Sequence, residues 1–159
     1  LVKPQFEAGK GNIGKKGLLK DIALGPRIAK DPRVTNIEGL NARNLSRADI
    51  AGRPVDWIVS DVSFISLRLA LPPALELAEP GAVCVLLVKP QFEAGKGNIG
   101  KKGLLKDPAL GPVIAARLEQ WLTEEMGWQS LGIAPSPIEG GDGNREFLLA
   151  GRKPGIKEE

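Results

Sequence analysis

Hydrophobic residues in this chain gather into short runs of strand length, separated by segments with helical spacing. The run at residues 82–89 is apolar almost throughout and predicts a buried strand, and residues 55–61 predict a second strand that ends in an acid. Weaker patterns predict further strands at residues 34–38, 128–134 and 146–150.

Two segments between these strands have the periodicity of amphipathic helices. Residues 63–77 place three apolar side chains near one face, namely Ile65, Leu69 and Leu75. The second helix has Asp107 as its N-cap and Pro108 at its first position. Its apolar face consists of Leu110, Val113, Ile114, Leu118, Trp121, Leu122 and Met126. Strands that alternate with helices predict an α/β fold with a mostly parallel sheet.

A 29-residue segment occurs twice, at residues 1–29 and 87–115, with only two differences. Two copies do not make a solenoid, which needs about three stacked repeats. The second copy joins a predicted strand to a predicted helix, whereas the first copy has neither support. We therefore predict that residues 1–29 are a displaced duplicate, that residues 30–153 carry the fold, and that residues 154–159 are a charged tail.

The net charge of +3 comes from the duplicate, because residues 1–29 hold six basic and two acidic side chains and the other 130 residues sum to −1. Overall basicity therefore gives no support for nucleic-acid binding. The single cysteine, Cys84, excludes an internal disulfide, agrees with a cytoplasmic location and is predicted to pack in the core. The longest apolar run, residues 81–88, is too short to span a bilayer.

Histidine and tyrosine do not occur in this sequence. Catalytic triads based on histidine, histidine metal sites and a tyrosine acid are therefore excluded, and we predict no metal site. Residues 95–100 match G-x-G-x-x-G, but the match does not run directly from a strand into a helix as a dinucleotide fingerprint requires. A P-loop is equally unsupported, because Lys102 stands where Ser or Thr would bind magnesium.

Residues 90–106 have no apolar periodicity and predict a long loop, which in a compact domain is usually functional or disordered. The loop contains Lys96, Lys101 and Lys102. These lysines could follow an RNA backbone by contacts with phosphates that depend on salt and not on sequence. The alternative is a charged loop that is simply solvated.

Three ionisable residues stand at the ends of predicted strands. Asp61 ends one strand and Lys89 ends the next, so both belong at the edge where ligands bind in open α/β sheets. Glu146 begins the last strand, and it reaches the same edge only if that strand is antiparallel. The alternative is a surface salt-bridge cluster, which would contribute little.

Three segments carry a resemblance to a known family. They are residues 54–67 (PVDWIVSDVSFISL), residues 88–95 (VKPQFEAG), and the pair PSPI at 135–138 with GNREFL at 143–148. In this order they resemble the TlyA, or haemolysin-A-like, family of FtsJ-type RNA 2′-O-methyltransferases, from about residue 31 to residue 153. The resemblance implies a doubly wound, Rossmann-like methyltransferase sheet that is mostly parallel, with an antiparallel final strand.

The family uses S-adenosylmethionine and a Lys-Asp-Lys-Glu catalytic tetrad. Asp61, Lys89 and Glu146 match its last three members. Asn41 and Ala42 match the segment that lines the adenine pocket, and the resemblance places Asp61 beside the cofactor as well. The first tetrad lysine and the glycine-rich loop that grips the cofactor have no counterpart here. We therefore expect an incomplete domain, inactive alone, that binds the cofactor weakly or not at all.

The chemistry implied is attack of an RNA 2′-hydroxyl, in line, on the methyl group of a sulfonium. A buried lysine can take the hydroxyl proton because burial favours the neutral amine, and Asp61 and Glu146 would orient Lys89. The expected partner is RNA, most naturally ribosomal RNA, and not a membrane. An unpaired edge on the strand at 55–61 predicts self-association. A non-catalytic RNA-binding module and a membrane-active haemolysin are the alternatives.

Overall fold

The computed structural model describes residues 31–138 and 143–155. In these residues one open sheet has the strand order β1-β2-β4-β3. The strands are β1 (Trp57–Ser60), β2 (Val83–Val88), β3 (Gln129–Pro135) and β4 (Phe147–Arg152). β1 pairs with β2 in parallel, and β4 is antiparallel to both of its neighbours. The predicted α/β class with an antiparallel final strand is confirmed.

Helices connect the strands in the described part of the chain. They are α1 (Leu67–Ala70), α2 (Pro72–Leu77), α3 (Pro90–Glu93) and α4 (Leu110–Glu124), with 3-10 helices at Ala42–Asn44 and Lys96–Asn98. Among the described helices, none has the length and apolar character needed to cross a membrane.

The core lies on one face of the sheet, where alternate strand residues meet α4. Cys84, Leu86 and Val88 of β2 are fully buried there, and Leu118 and Leu122 of α4 belong to the same hydrophobic cluster. Cys84 is therefore a core residue, as predicted. Burial raises the pKa of the Cys84 thiol to about 11, so the side chain remains a neutral thiol at physiological pH.

The opposite face of the sheet is less covered at β1. The side chains of Trp57 and Val59 point to this face, and each residue is 64% exposed. Among the described strands, only β2 pairs with β1, so the other edge of β1 has no described partner. Apolar residues on an open strand edge are a feature that favours association with another chain.

Two predicted elements in the first half of the chain are wrong in detail. Residues 34–38 form no strand and are irregular. The helix predicted over residues 63–77 is two short helices, because Pro72 lacks the N–H that a continuous helix would need at that point. The break also changes which side chains of this segment face the core. Leu69, which was predicted to lie on the apolar face, is 59% exposed.

The second half of the chain corrects two further expectations. The segment 90–106 is not a structureless loop, since it contains α3, a 3-10 helix and a bridge between Ile99 and Leu105. The long helix begins at Leu110, because Asp107 accepts a hydrogen bond from the backbone N–H of Ala109 in a preceding turn (2.9 Å). Its predicted face is otherwise correct, except that Val113 is 45% exposed.

Gly151 of β4 leaves no room for a side chain. A Cβ atom there would lie 2.8 Å from Leu122 Cδ2, 3.2 Å from Cys84 Sγ and 3.3 Å from the Gln129 carbonyl oxygen. We predict that Gly151→Ala lowers the free energy of unfolding by about 1–3 kcal/mol, the usual effect of overpacking a core. Urea denaturation followed by tryptophan fluorescence measures this change.

Gly155→Ala is the matched control, because a Cβ atom at Gly155 meets nothing within 4 Å. Gly155→Ala should leave the midpoint of urea denaturation unchanged. Equal stability of the two variants would mean that α4 does not pack on β4 as closely as described.

Candidate active site

The residues predicted to carry chemistry lie at one edge of the sheet. Asp61 directly follows β1, and Lys89 directly follows β2. Because β1 and β2 are parallel, their carboxyl ends reach the same edge, where the chain leaves the sheet in loops that can turn side chains toward a ligand.

Lys89 is held by two groups from the loop that follows β1. Its ammonium forms an ion pair with Asp61 and donates a hydrogen bond to Ser63 Oγ at 2.9 Å. The Lys89 side chain is only 10% exposed, whereas that of Asp61 is 35% exposed. Lys89 is therefore a nearly buried cation with a fixed direction, and Asp61 links it to the surface.

Glu146 reaches this edge from the opposite direction. β4 is antiparallel to β2 and pairs Phe147 with Val88, so the residue before Phe147 stands opposite the residue after Val88. Glu146, which is 8% exposed, therefore enters β4 at the edge where Lys89 leaves β2. The antiparallel direction that the sequence required for this meeting is the one observed.

The loop between β1 and α1 contributes residues that the sequence analysis did not single out. Ser63 binds Lys89, and the next residue, Phe64, has a positive φ of 65°. Such a conformation is rare for a bulky residue. Phe64 is 58% exposed, and its ring lies 4.9 Å from that of Phe92, centroid to centroid. Only the spacing D-x-S-F after a strand could have suggested these roles.

The predicted RNA-binding lysines lie on the segment between α3 and α4. Lys96, Lys101 and Lys102 are all exposed. Asn144, which is 4% exposed, anchors this segment: its side chain accepts from the Leu105 N–H and donates to the Gly103 carbonyl, both at 3.1 Å. The lysines are therefore tied to the short stretch of chain that leads into Glu146.

The residues predicted to line an adenine pocket are less enclosed. Asn41 and Ala42 are exposed, and the 3-10 helix at Ala42–Asn44 packs against α1 and α2. The Asn41 side chain accepts a hydrogen bond from the Arg43 N–H at 3.1 Å. Among the described residues, no glycine-rich turn leads from a strand into a helix. These residues do not by themselves fit S-adenosylmethionine.

The sequence of this chain is similar to those of known methyltransferases. A sequence model of the FtsJ-like methyltransferase family matches residues 18–153. The chain is 43% identical over 136 residues to YqxC of Bacillus subtilis, which is named as an rRNA methyltransferase, covering 86% of this chain and 48% of that protein. It is 45% identical over 125 residues to the 16S/23S rRNA (cytidine-2′-O)-methyltransferase TlyA of Mycobacterium tuberculosis, covering 77% of this chain and 45% of that one.

Comparison of structures agrees with the sequences. The crystal structure of a protein described as a hemolysin from Lactococcus lactis superposes with a TM-score of 0.75 at 39% identity, covering 81% of this chain and 61% of that one. The resemblance predicted from the three motifs is confirmed by these matches. The chain spans about half the length of the curated relatives it matches.

The contact between Lys89 and Asp61 predicts a measurable energetic coupling. Asp61→Ala removes the ion pair of a nearly buried ammonium, so we expect a loss of about 1–3 kcal/mol in the free energy of unfolding. In a double-mutant cycle with Lys89→Met, the two changes should be non-additive by about 0.5–3 kcal/mol. Denaturant titration of the four proteins measures the coupling.

The first copy of the duplicated segment supplies a matched control, because Lys3 has the same sequence neighbours as Lys89. Lys3→Met combined with Asp61→Ala should be additive. Additivity in the Lys89 cycle as well would contradict the ion pair.

Proposed function

The chain belongs to the FtsJ-like methyltransferase family, and we propose that it contributes the C-terminal part of a domain that methylates the 2′-hydroxyl of ribosomal RNA. One observation carries this proposal. The ammonium of Lys89 is nearly buried and forms an ion pair with Asp61 at the ligand-binding edge, and Glu146 directly precedes Phe147, which pairs with Val88. That arrangement suits the handling of a hydroxyl proton.

The proposed domain comprises residues 30–153, with residues 1–29 as an out-of-context copy of 87–115. One observation supports this extent. The second copy forms the end of β2, α3 and the start of α4, so this sequence has a defined place in the fold at residues 87–115.

Lys89 is the proposed base. An ammonium has three donors, and Lys89 uses its donors toward Asp61 and Ser63, so a ribose hydroxyl could take a remaining position. In its neutral form the Lys89 amine has a lone pair that can accept the 2′-hydroxyl proton. The resulting oxyanion forms beside the restored ammonium, which stabilises it electrostatically.

Asp61 and Glu146 have different proposed tasks. Asp61 is the more exposed of the two, so it can return a proton to solvent after each cycle. Glu146 is buried and fixed by the pairing of β4, so it sets the side on which Lys89 can meet a substrate. Methyltransferases of this kind take the methyl group from S-adenosylmethionine. The described residues make only one border of a site for it, with Asp61, Asn41 and Ala42 as the proposed contacts.

Phe64 is the proposed support for the target nucleotide. Its exposed ring follows Ser63 directly, and a base that stacks on an aromatic ring gains about 1–3 kcal/mol. The ring of Phe92 contacts that of Phe64, with the two ring planes tilted by 49°. A nucleotide held in this way would present its ribose to Lys89, and the 2′-hydroxyl is the group that distinguishes RNA from DNA.

The two alternatives from the sequence, an RNA-binding module without catalysis and a membrane-active haemolysin, gain no specific observation. Self-association through β1 stays a prediction. The edge of β1 is open among the described residues, and exposed Trp57 and Val59 are the side chains that a second chain would cover.

We predict that a chimera regains methylation when residues 30–153 replace the matching part of Bacillus subtilis YqxC. Lys89→Ala in that chimera should lower the rate by about 10²–10⁴-fold, the usual contribution of a general base, with little change in the affinity for RNA. Transfer of a labelled methyl group from S-adenosylmethionine to ribosomal subunits measures the rate.

Arg47→Ala is the control, since Arg47 forms an exposed ion pair with Glu79 outside the site (3.0 Å). It should be as active as the unaltered chimera. Full activity of Lys89→Ala would rule out the proposed base. Micromolar cofactor binding by the original chain alone, measured by calorimetry, would contradict the proposed incompleteness.

The exposed lysines predict a salt-dependent affinity for RNA. Replacing Lys96, Lys101 and Lys102 together by Ala should weaken binding of a labelled single-stranded RNA. It should also reduce the slope of log K against log salt concentration by about 2, because about 0.7 counterions are released per phosphate contact on single strands. Fluorescence anisotropy at several salt concentrations measures both.

The same triple substitution in the first copy, at Lys10, Lys15 and Lys16, changes the net charge equally. We expect it to change the slope less, because binding by an anchored loop depends on its setting. If the two triple variants changed the slope equally, the affinity for RNA would depend on net charge alone and not on the position of these lysines.

A further inference from the structure

We propose that Glu93 is a positioning residue for Lys89, acting through the loop between β1 and α1. This inference rests on the proposed role of Lys89 in catalysis, but its evidence and its test are independent of methylation. Glu93 stands at the end of α3, one helical turn after Lys89, and its side chain points back to the loop that holds Lys89.

The Glu93 carboxylate makes two short hydrogen bonds to that loop. Its Oε1 accepts from the Leu67 N–H and its Oε2 accepts from Ser66 Oγ, both at 2.7 Å. Leu67 is 2% exposed and is the first residue of α1, so its N–H has no helical carbonyl to bind and is satisfied by this acceptor. Using both carboxylate oxygens on adjacent residues fixes the direction of the chain as well as its distance.

The conformation of the loop explains why such a restraint is needed. Phe64 has a φ of 65°, and a non-glycine residue in this region raises the free energy by about 1–3 kcal/mol unless its surroundings impose it. The loop would relax without external contacts. Two of these contacts come from consecutive residues of α3, the ring of Phe92 on Phe64 and the carboxylate of Glu93 on Ser66 and Leu67.

Two chain segments are thus joined at three points. Lys89 bonds to Asp61 and Ser63, Phe92 contacts Phe64, and Glu93 bonds to Ser66 and Leu67. The order of contacts is the same along both segments, so a shift at one end moves the other. Loss of the Glu93 bonds would let Phe64 return to a relaxed conformation and carry Ser63 away from Lys89.

A purely local role is the competing explanation, in which Glu93 only completes the start of α1. Ser66 already caps this helix by accepting from the Arg68 N–H at 3.2 Å. A local role predicts that removal of Glu93 changes stability and leaves Lys89 as it was. The positioning role predicts a change at Lys89 itself, which can be observed directly.

The ammonium protons of Lys89 provide that observable in the whole chain, without RNA or cofactor. Lysine ammonium protons that are buried and hydrogen-bonded exchange slowly enough with water to be seen by ¹⁵N correlation spectroscopy, and exposed ones do not. The signal is assigned by its loss in Lys89→Gln. We expect Glu93→Ala to speed this exchange by about tenfold or more, since the loop then opens locally. Glu93→Gln should restore slow exchange, because an amide can still serve both Leu67 and Ser66.

Glu7→Ala is the matched control, since Glu7 occupies the equivalent position in the first copy with identical neighbours. It should leave the signal unchanged. If Glu93→Ala has no cooperative melt, Glu93→Asp replaces it: the shorter side chain can keep only one bond, and a smaller acceleration of about threefold is expected. Unchanged exchange in whichever of these variants folds overturns the proposal.

The outcome is separable from that of the proposed function. Slow exchange that depends on Glu93, together with an inactive chimera, would preserve the positioning role and reject methylation. Exchange that is the same with and without Glu93, together with an active chimera, would reject the positioning role and support methylation.

Discussion

The antiparallel pairing of β4 with β2 is the constraint on which the candidate site depends. β2 occupies the interior of the described sheet, with β1 parallel on one side and β4 antiparallel on the other. A parallel β4 would begin at the far edge and separate Glu146 from Lys89 by the length of the strand. One reversed strand therefore brings together a carboxylate from the end of the sequence and two residues from its middle.

The ion pair between Lys89 and Asp61 is buried on one side and accessible to solvent on the other. A fully enclosed lysine would lose its hydration, and a carboxylate removed from water with it would recover only part of that free energy. Here the Lys89 side chain is nearly buried while Asp61 keeps about a third of its surface. The cation is therefore held rigidly, and its partner remains in exchange with solvent.

Sequence reasoning succeeded where a pattern is set by the main chain. The strand at Val83–Val88 and the placement of Asp61 and Lys89 after their strands follow from apolar runs and their polar ends, whereas the reversed last strand was implied by the family resemblance. It failed at Leu69 and Val113, because helix ends and breaks decide which face is covered. Ser63 and Glu93 were missed because their roles depend on contacts between segments that lie 26 or 27 residues apart. No periodicity encodes such contacts.

The backbone of Phe64 has a consequence for how this position varies among relatives. Its positive φ would suit glycine, which adopts this region freely, whereas any aromatic residue is strained there. Selection for stability alone would therefore favour glycine at this position. Selection for an aromatic ring alone would favour a neighbouring position with an unstrained backbone. An aromatic residue that persists at this site in a set of homologous sequences would record a need for that ring in that direction, and glycine would mark lineages in which the need has been lost.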